Sequence, residues 1–194
     1  MRLTSGAASG AKIYSPKGLS TRPALARVRN SLFNILAAKL QDKNVLDLFA
    51  GTGSIGLEAI SMGAGFTVFV DNDPRCLEII ARNCEKLKVT GKVRMIRNDV
   101  FKILNFLVKL EIKYDIVFID PPYDLYDFDN MRLVKLVSVL AESEVTNPGA
   151  LFILEHRVKN GLNSTPQNVK LTDYRKYGQT ALSFYQKLGD IKNG

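Results

Sequence analysis

The sequence predicts an open α/β fold, a mostly parallel seven-stranded sheet with helices on both faces, and two observations predict it. From residue 44 onward, short apolar runs alternate with segments of helical periodicity, the pattern of parallel strands joined by crossover helices. Near the C-terminus, residues 169–174 and 181–186 alternate between apolar and polar positions and predict an antiparallel strand pair at the C-terminal end. The 194 residues are enough for one such domain with a small extension.

Local periodicity and end signals predict each element in turn. Asp73 and Pro74 mark a helix start, because Asp caps the first turn and Pro suits the first helical position. We expect Asp99 to cap a further helix in the same way. The predicted strands before the final pair are 45–49, 66–71, 93–96, 114–119 and 150–155. The predicted helices are 23–40, 54–62, 74–87, 101–110 and 131–140.

The N-terminal fifth of the chain is strongly basic. Residues 1–41 hold seven of the 27 basic residues and none of the 19 acidic ones, so they carry nearly all of the net charge of +8. We expect a small hairpin within residues 1–20, followed by the amphipathic helix 23–40. The sequence therefore predicts a basic arm, residues 1–41, on a nearly neutral body, residues 42–194. Such an arm favours a polyanionic partner, the alternative being a solvated basic face that keeps the protein soluble.

Composition excludes several classes of protein. The longest run without a charge, residues 59–70, is too short to cross a bilayer, so we expect no membrane segment and a cytoplasmic location. Cys76 and Cys84 lie in one predicted helix and are expected to be free thiols. They and the single histidine, His156, give no zinc-binding spacing, and no serine elbow accompanies that histidine. We therefore expect neither a metal site nor a serine-hydrolase triad.

Three predicted strand ends carry residues suited to a nucleoside. Gly51, Gly53 and Gly56 follow the first strand and match G-x-G-x-x-G, while Asp71 ends the second strand at the spacing expected for NAD. Asp71 can accept hydrogen bonds from both ribose hydroxyls, and Asp99, after the third strand, can receive an adenine amino group. A tight strand–helix turn without a ligand is the structural alternative for the glycines.

Asp120-Pro121-Pro122-Tyr123 follows the fourth predicted strand. The prolines stiffen the backbone and present carbonyl oxygens without a competing N–H. If Asp120 and the carbonyl of Pro121 accept the two N–H groups of an exocyclic base amine, its nitrogen is oriented and gains electron density. Tyr123 can stack on the same base. The alternative is an ordinary proline turn, but this chemistry favours an amine-modifying enzyme.

These segments together resemble a known family. Residues 45–59, 70–74 and 120–123 are similar to motifs of class I S-adenosylmethionine-dependent methyltransferases, whose fold is Rossmann-like. Residues 1–6, 16–19, 22–29 and 32–36 more narrowly resemble the bacterial 16S ribosomal RNA guanine-N2 methyltransferases of the RsmD type. The resemblance spans residues 1–187, and it implies methyl transfer to the N2 amine of a guanine. It also implies that the partner is 16S ribosomal RNA, in the small ribosomal subunit or in an assembly intermediate. We expect the protein to be a monomer.

The resemblance also implies roles for particular positions. Residues 120–123 form the target-base pocket, Asp71 holds the ribose, and Asp99 holds the adenine amine of the cofactor. The residues expected to bind S-adenosyl-L-methionine are Asp47, Phe49, Ala50, Gly51, Gly53, Asp71, Asn72, Asp99 and Val100. The arm residues expected to bind RNA are Lys12, Lys17, Arg22, Arg27 and Arg29. The chain departs from the family where Ala26 replaces the usual Asp and Asn30 the usual Glu, which leaves the detailed role of the arm open.

Three other functions are consistent with parts of the sequence. Methylation of adenine N6 in DNA uses the same tetrapeptide, although 194 residues leave no room for a separate target-recognition domain. An NAD-dependent oxidoreductase would account for the glycines and Asp71 but gives Asp120 no role. A non-catalytic RNA-binding assembly factor would keep the fold and transfer no methyl group.

Overall fold

A computed structural model describes residues 1–15, 23–122, 125 and 130–189 of the chain. The chain divides into two compact units, Met1–Val100 and Phe101–Gly194. The structure confirms the predicted fold class, a mixed seven-stranded sheet that is mostly parallel and contains an antiparallel pair at its C-terminal end. The predicted division into an arm, 1–41, and a body, 42–194, stays a prediction.

The first unit contains three parallel strands in the order β3 (Val93–Arg97), β2 (Phe66–Asp71) and β1 (Asn44–Leu48). Val45, Leu46 and Leu48 of β1 and Val68, Phe69 and Val70 of β2 are buried, as expected for central strands covered on both faces. The elements of this unit are α1 (Pro23–Leu36), β1 (Asn44–Leu48), α2 (Ser54–Ser61), β2 (Phe66–Asp71), α3 (Pro74–Leu87) and β3 (Val93–Arg97).

The second unit contains four strands in the order β4-β5-β7-β6. β4 and β5 are parallel, whereas β7 runs antiparallel to both β5 and β6. Tyr114 and Phe152 are among the largest fully buried side chains here. The elements of this unit are α4 (Leu104–Lys109), β4 (Tyr114–Ile119), α5 (Asn130–Glu142), β5 (Thr146–Arg157), β6 (Val169–Tyr177) and β7 (Thr180–Lys187).

Two predicted helices differ from those observed. The helix expected over 23–40 ends at Leu36 and tightens into the 3-10 turn Ala37–Lys39, as last turns commonly do before a change of direction. Asp99 does not cap an α-helix, because the 3-10 turn Val100–Lys102 follows it and α4 begins only at Leu104. Asp73 does cap α3 as predicted, its carboxylate accepting the Arg75 N–H.

The expected N-terminal hairpin is present within residues 1–15. Arg2 and Lys12 form an antiparallel bridge, and the N–H groups of Leu3 and Ile13 donate to main-chain carbonyls across the hairpin. The side chains of Leu3 and Ile13 are 1% and 2% exposed, and they pack in one cluster with Leu57 and with residues of β2 and α3. The hairpin is therefore part of the hydrophobic core of the first unit.

Three further expectations concern the cysteines, membrane-spanning helices and metal sites. Cys76 and Cys84 are free, as predicted, and burial raises the pKa of each thiol to about 11. Among the described helices, none is long and apolar enough to cross a membrane. In the same part of the chain, no group of three or more His, Cys, Asp or Glu side chains could hold a metal ion.

Candidate functional site

The loop after β1 has an unusual backbone that approaches the neighbouring strand. Phe49, Gly51 and Gly53 have φ angles of 60°, 54° and 74°, so the chain turns sharply three times within five residues. The N–H of Ala50 donates to the carbonyl of Val70 at 3.1 Å, and the N–H of Gly53 closes the turn onto the carbonyl of Ala50 at 2.8 Å. The loop is thus fixed at the carboxyl end of β1.

Two of the three predicted glycines are required by packing. A Cβ atom on Gly56 would lie 2.3 Å from Cε1 of Phe69, a ring that is fully buried in β2. At Gly53 the positive φ disfavours an L side chain, and a Cβ would also lie 2.8 Å from Cγ1 of Ile80. The glycines therefore let the loop and α2 approach β2 and α3 closely.

Asp47 shapes the same loop from within β1. Its side chain is only 2% exposed, and its Oδ2 accepts the N–H of Gly56 at 2.9 Å. Gly56 lies in the first turn of α2, where main-chain N–H groups have no partner within the helix. The Asp47 carboxylate thus stabilises the N-terminus of α2 and holds the glycine loop against it.

Asp71 lies at the end of β2, where its carboxylate connects two segments. Oδ2 accepts the N–H of Gly51 at 2.8 Å, and Oδ1 accepts the N–H of Asp73 at 2.9 Å. The main-chain carbonyl of Asp71 also accepts the N–H of Asn98, which joins the ends of β2 and β3. The carboxylate is therefore oriented at the edge where the three strands end.

The other predicted cofactor residues lie at the same edge of the first unit. Asp71 pairs with Arg97 and Leu48 with Val70 in the strand register, so the segments that follow β1, β2 and β3 leave the sheet together. Asn72 is exposed, Asp99 is half-buried and Val100 is buried. Carboxylates at this edge can accept hydrogen bonds from the hydroxyl and amine groups of a nucleoside. The glycine loop beside them lets a ligand approach the backbone closely. The residues present therefore fit the adenosine part of S-adenosyl-L-methionine.

In the second unit, the predicted tetrapeptide begins directly after β4. Solvent reaches Asp120, yet enough protein surrounds the carboxyl that desolvation raises its pKa to about 6. Pro121 is buried, Pro122 is exposed, and the carbonyl of Pro122 accepts the N–H of Leu125 at 3.0 Å. Tyr123 lies outside the described residues. The carboxyl of Asp120 is thus mainly ionised at pH 7, but its pKa lies closer to neutrality than that of an ordinary carboxyl.

The structure separates the predicted RNA-binding residues of the arm. Lys12 and Arg27 are exposed, whereas Lys17 and Arg22 lie outside the described residues. Arg29 is only 8% exposed and donates to the carbonyl of Arg2 at 2.9 Å. A cleft of about 450 Å³ opens in the arm and is lined by Met1, Arg2, Thr4, Lys12, Ala26 and Arg29. Its walls carry three cationic side chains.

Glu58 of α2 holds the arm, a role that the sequence analysis missed. It is fully buried, and its Oε1 accepts the main-chain N–H groups of Thr4 and Ser5 as well as the Thr4 hydroxyl. Its Oε2 lies 3.4 Å from Nε of Arg29. An acidic residue within the apolar stretch of a short helix beside a glycine turn is the sequence signal for such a buried anchor.

Asn83 of α3 was also missed. It is fully buried, and it hydrogen-bonds both the N–H and the carbonyl of Tyr14. Asn83 stands three residues after Ile80 and directly before Cys84, on the buried face of α3. A polar residue on an apolar face indicates a specific hydrogen-bond partner, because burying an unpaired amide is costly.

Comparison with known proteins gives one consistent result. The family model described as "Conserved hypothetical protein 95" matches residues 1–186. The chain is 32% identical over 187 residues to "Ribosomal RNA small subunit methyltransferase D" of Escherichia coli strain K12, covering 96% of this chain and 90% of that protein. It is 31% identical over 189 residues to "Putative rRNA methyltransferase YlbH" of Bacillus subtilis, covering 97% and 100%.

Solved structures are similar over the same length. The structure of "Putative methyltransferase yhhF from Escherichia coli" superposes with a TM-score of 0.81 at 30% identity and covers 98% of this chain and 99% of that one. A more distant structure, described as "Crystal structure of SMU.776, a putative methyltransferase complexed with SAH", shares the fold with a TM-score of 0.64 at 19% identity, covering 82% of this chain and 48% of that one. The chain therefore belongs to the Conserved hypothetical protein 95 family, and its predicted kinship with methyltransferases of the RsmD type is confirmed.

Proposed function

We propose that this protein is an S-adenosylmethionine-dependent ribosomal RNA methyltransferase that modifies the N2 amine of a guanine in 16S ribosomal RNA. Membership of the family and the named relatives support ribosomal RNA methylation. The observation that carries the choice of an exocyclic amine is Asp120, a carboxylate with a raised pKa placed directly after β4 and followed by two prolines. The choice of guanine and of 16S RNA rests on the resemblance of the N-terminal segments.

The residues at the strand ends of the first unit would hold the cofactor. Asp71 would accept the ribose hydroxyls and Asp99 the adenine amine, while Gly51 and Gly53 would border the methionine end. The same loops contain the other residues that we expect to contact the cofactor: Phe49, Ala50, Asn72 and Val100. When bound, S-adenosyl-L-methionine supplies an electrophilic methyl group on a sulfonium. Asp47 would act indirectly, because its buried carboxylate accepts the N–H of Gly56 and so fixes the conformation of the loop.

Asp120 and the carbonyl of Pro121 would act on the target amine. The lone pair of an exocyclic amine is delocalised into the base, so the nitrogen is a poor nucleophile. Two acceptors that receive its N–H groups orient the nitrogen and raise its electron density. The amine releases one proton as it is alkylated, and a carboxylate of pKa about 6 can take that proton near neutral pH. Tyr123 would stack on the guanine.

The basic arm would bring ribosomal RNA to this site. Lys12 and Arg27 are exposed and available for phosphates, and the sequence adds Lys17 and Arg22. Arg29 would contribute as a wall of the cationic cleft rather than as a free side chain. The substrate is 16S ribosomal RNA in the small subunit or an assembly intermediate, and the protein acts as a monomer.

The test is a transfer assay with methyl-labelled S-adenosylmethionine. Small subunits lacking the modification, their naked RNA and duplex DNA serve as acceptors, and each product is digested to nucleosides. Label in N2-methylguanosine supports the proposal, and Asp120→Asn should abolish it while leaving binding of S-adenosylhomocysteine intact. Label in N6-methyladenine would overturn the substrate. An active cofactor site with no label in any acceptor would favour a non-catalytic RNA-binding factor.

A further inference from the structure

Tyr14 forms an exposed aromatic surface in a basic setting on the first unit. The residue is 43% exposed although it follows directly on the buried Ile13. The guanidinium carbon of Arg82 lies 4.5 Å from the ring centroid, and Nζ of Lys86 lies 4.9 Å from it. Arg82 and Lys86 are exposed and stand one helical turn apart on α3. Tyr14 is therefore partly open to solvent, with two cations packed against its ring.

The backbone beneath this ring is fixed. Asn83 Oδ1 accepts the Tyr14 N–H at 2.6 Å, and Asn83 Nδ2 donates to the Tyr14 carbonyl at 3.1 Å. Asn83 itself is fully buried in α3. Both main-chain groups of Tyr14 are thus used by one rigid side chain, so the ring projects from a defined position rather than from a free loop.

The side-chain amide of Asn83 also reaches the glycine loop after β1. Nδ2 of Asn83 also lies 3.4 Å from the carbonyl of Thr52, which stands between Gly51 and Gly53. The exposed ring and the glycine loop are therefore held by a single residue. A ligand bound on Tyr14 would therefore have a fixed position relative to the loop that we assign to the cofactor.

This combination fits an unpaired nucleotide of an RNA. Aromatic side chains stack on bases that are not paired, and neighbouring Arg and Lys side chains neutralise the adjacent phosphates. A helix of duplex RNA offers phosphates but no free base face. Glu78 and Glu85 are also exposed on α3, so the helix as a whole is not simply cationic and the positive charge beside Tyr14 is local.

We propose that Tyr14, with Arg82 and Lys86, is an RNA contact site that stacks on one unpaired base of the substrate and binds its flanking phosphates. We refer to these three residues as the Tyr14 platform. The inference rests on the proposed RNA substrate and adds a contact site that lies outside the cationic cleft. It also assigns Asn83 as the residue that positions the platform relative to the cofactor loop.

The experiment compares RNA binding by variants of the full chain, using fluorescence anisotropy with a short single-stranded RNA and with an RNA duplex of equal length. Tyr14→Ala should weaken single-strand binding about 5- to 150-fold and leave duplex binding unchanged. Tyr14→Phe keeps the ring and should bind as the wild type does. Tyr174→Ala is the matched control, because Tyr174 of β6 is 44% exposed, and it should have no effect.

Salt dependence tests the two cations. Arg82→Gln and Lys86→Gln should each reduce the log–log slope of single-strand affinity against salt by about 0.7, the value for one phosphate contact. Melting temperature and S-adenosylhomocysteine affinity, measured for every variant, show that the fold and the cofactor site are retained.

Each outcome separates the platform from the proposed function. Wild-type single-strand affinity in Tyr14→Ala, or an equal loss for single strand and duplex, would overturn the platform even if the wild type produces N2-methylguanosine. Loss confined to single strands, together with a wild type that methylates no ribosomal RNA, would support the platform and refute the proposed function.

Discussion

Oδ2 of Asp71 accepts the main-chain N–H of Gly51 across 2.8 Å, and this bond joins the end of β2 to the loop after β1. The second oxygen of the same carboxylate accepts the N–H of Asp73, the residue that caps α3. Each carboxylate oxygen has a second lone pair, so Asp71 can still accept ribose hydroxyls. The residue predicted to bind the cofactor is therefore also the one that shapes its loop.

Asp71→Asn should weaken cofactor binding strongly. The amide loses the negative charge, and its NH₂ group would face one of two N–H donors. Hydrogen bonds to charged groups contribute about 1.5–3 kcal/mol, so we expect S-adenosylhomocysteine to bind about 10- to 100-fold less tightly by calorimetry. Asp73→Asn is the control, because Asn also caps helices, and its affinity should equal that of the wild type. Unchanged affinity in Asp71→Asn would remove this residue from the cofactor site.

Gly56→Ala should destabilise the first unit. The added Cβ would collide with the buried ring of Phe69, and such overpacking costs about 1–3 kcal/mol in the free energy of unfolding. Urea denaturation measures this loss. Gly91→Ala provides the matched control, since a Cβ there would meet no atom within 4 Å and the change should stay within about 0.5 kcal/mol. Equal stability of the two variants would contradict the close packing of α2 on β2.

Glu58→Gln should loosen the arm. The substitution removes the charge that faces Nε of Arg29 and leaves that guanidinium buried, and breaking a buried pair costs about 3–5 kcal/mol. We expect a lower melting temperature and faster proteolysis within residues 1–15. Glu78→Gln changes an exposed carboxylate on α3 and should leave both measurements unchanged. If Glu58→Gln melts like the wild type, Glu58 does not anchor the arm.

The pH dependence of methyl transfer should report Asp120. Desolvation raises the pKa of this carboxyl to about 6, and only its ionised form can accept the proton that the amine releases. We therefore expect kcat/KM to be constant above pH 7 and to fall about tenfold per pH unit below pH 6. Binding of S-adenosylhomocysteine over the same range is the control and should stay level. A kcat/KM profile that is flat down to pH 5 would exclude Asp120 as the proton acceptor.

His156 should make the second unit sensitive to acid. Its Nδ1 lies 2.7 Å from the carbonyl of Arg157 and its Nε2 lies 2.8 Å from the Ser183 hydroxyl, an arrangement that suits the neutral ring. Burial lowers the pKa of His156, so the unfolded chain binds a proton more readily than the folded one. The contribution of His156 to the free energy of unfolding is therefore complete above pH 6.5 and is lost as the pH drops below it, whereas the raised pKa of Asp120 contributes with the opposite sign.

The check for His156 is the slope of stability against pH. One proton corresponds to at most about 1.4 kcal/mol per pH unit. His156→Leu should make the slope of the free energy of unfolding against pH less positive between pH 5 and 6.5 than in the wild type, whatever its effect on absolute stability. The same slope in the variant and the wild type would mean that another group titrates.

Much of the fold could be predicted because its signals are local. β2 (Phe66–Asp71), α3 (Pro74–Leu87) and β4 (Tyr114–Ile119) have the predicted bounds, since Asp73, Pro74 and sharp changes in polarity mark their ends. The 3-10 turns after Leu36 and Asp99 could not be predicted, because they depend on how the chain enters the next strand or helix. The loop predicted to bind the cofactor was recognisable because close packing against α3 and β2 requires glycine at Gly53 and Gly56.

The anchoring of the arm could not be predicted, because it depends on contacts distant in sequence. Glu58 meets Thr4 and Ser5 across more than fifty residues, and Asn83 meets Tyr14 across 69. Arg29 was counted among the RNA-binding residues from its charge and from the family resemblance, whereas in the structure it donates to the main chain of Arg2. A basic segment in a sequence indicates that its partner carries negative charge. It does not indicate which of its cationic side chains already form hydrogen bonds or ion pairs within the protein.

Helix α2 has the glycine loop at its first residue and the arm's anchor, Glu58, in its middle. The eight residues of α2 span only about 12 Å, so the loop and the anchor are parts of one short rod. Grafting residues 1–41 of this protein onto a relative that has no acidic residue at the Glu58 position would leave behind the carboxylate that holds Thr4, Ser5 and Arg29. A transplant that keeps the arm's register would then have to carry α2 as well, and with it the glycine loop. In the proposed function, specificity for the RNA and affinity for the cofactor would in that case be exchanged as one block.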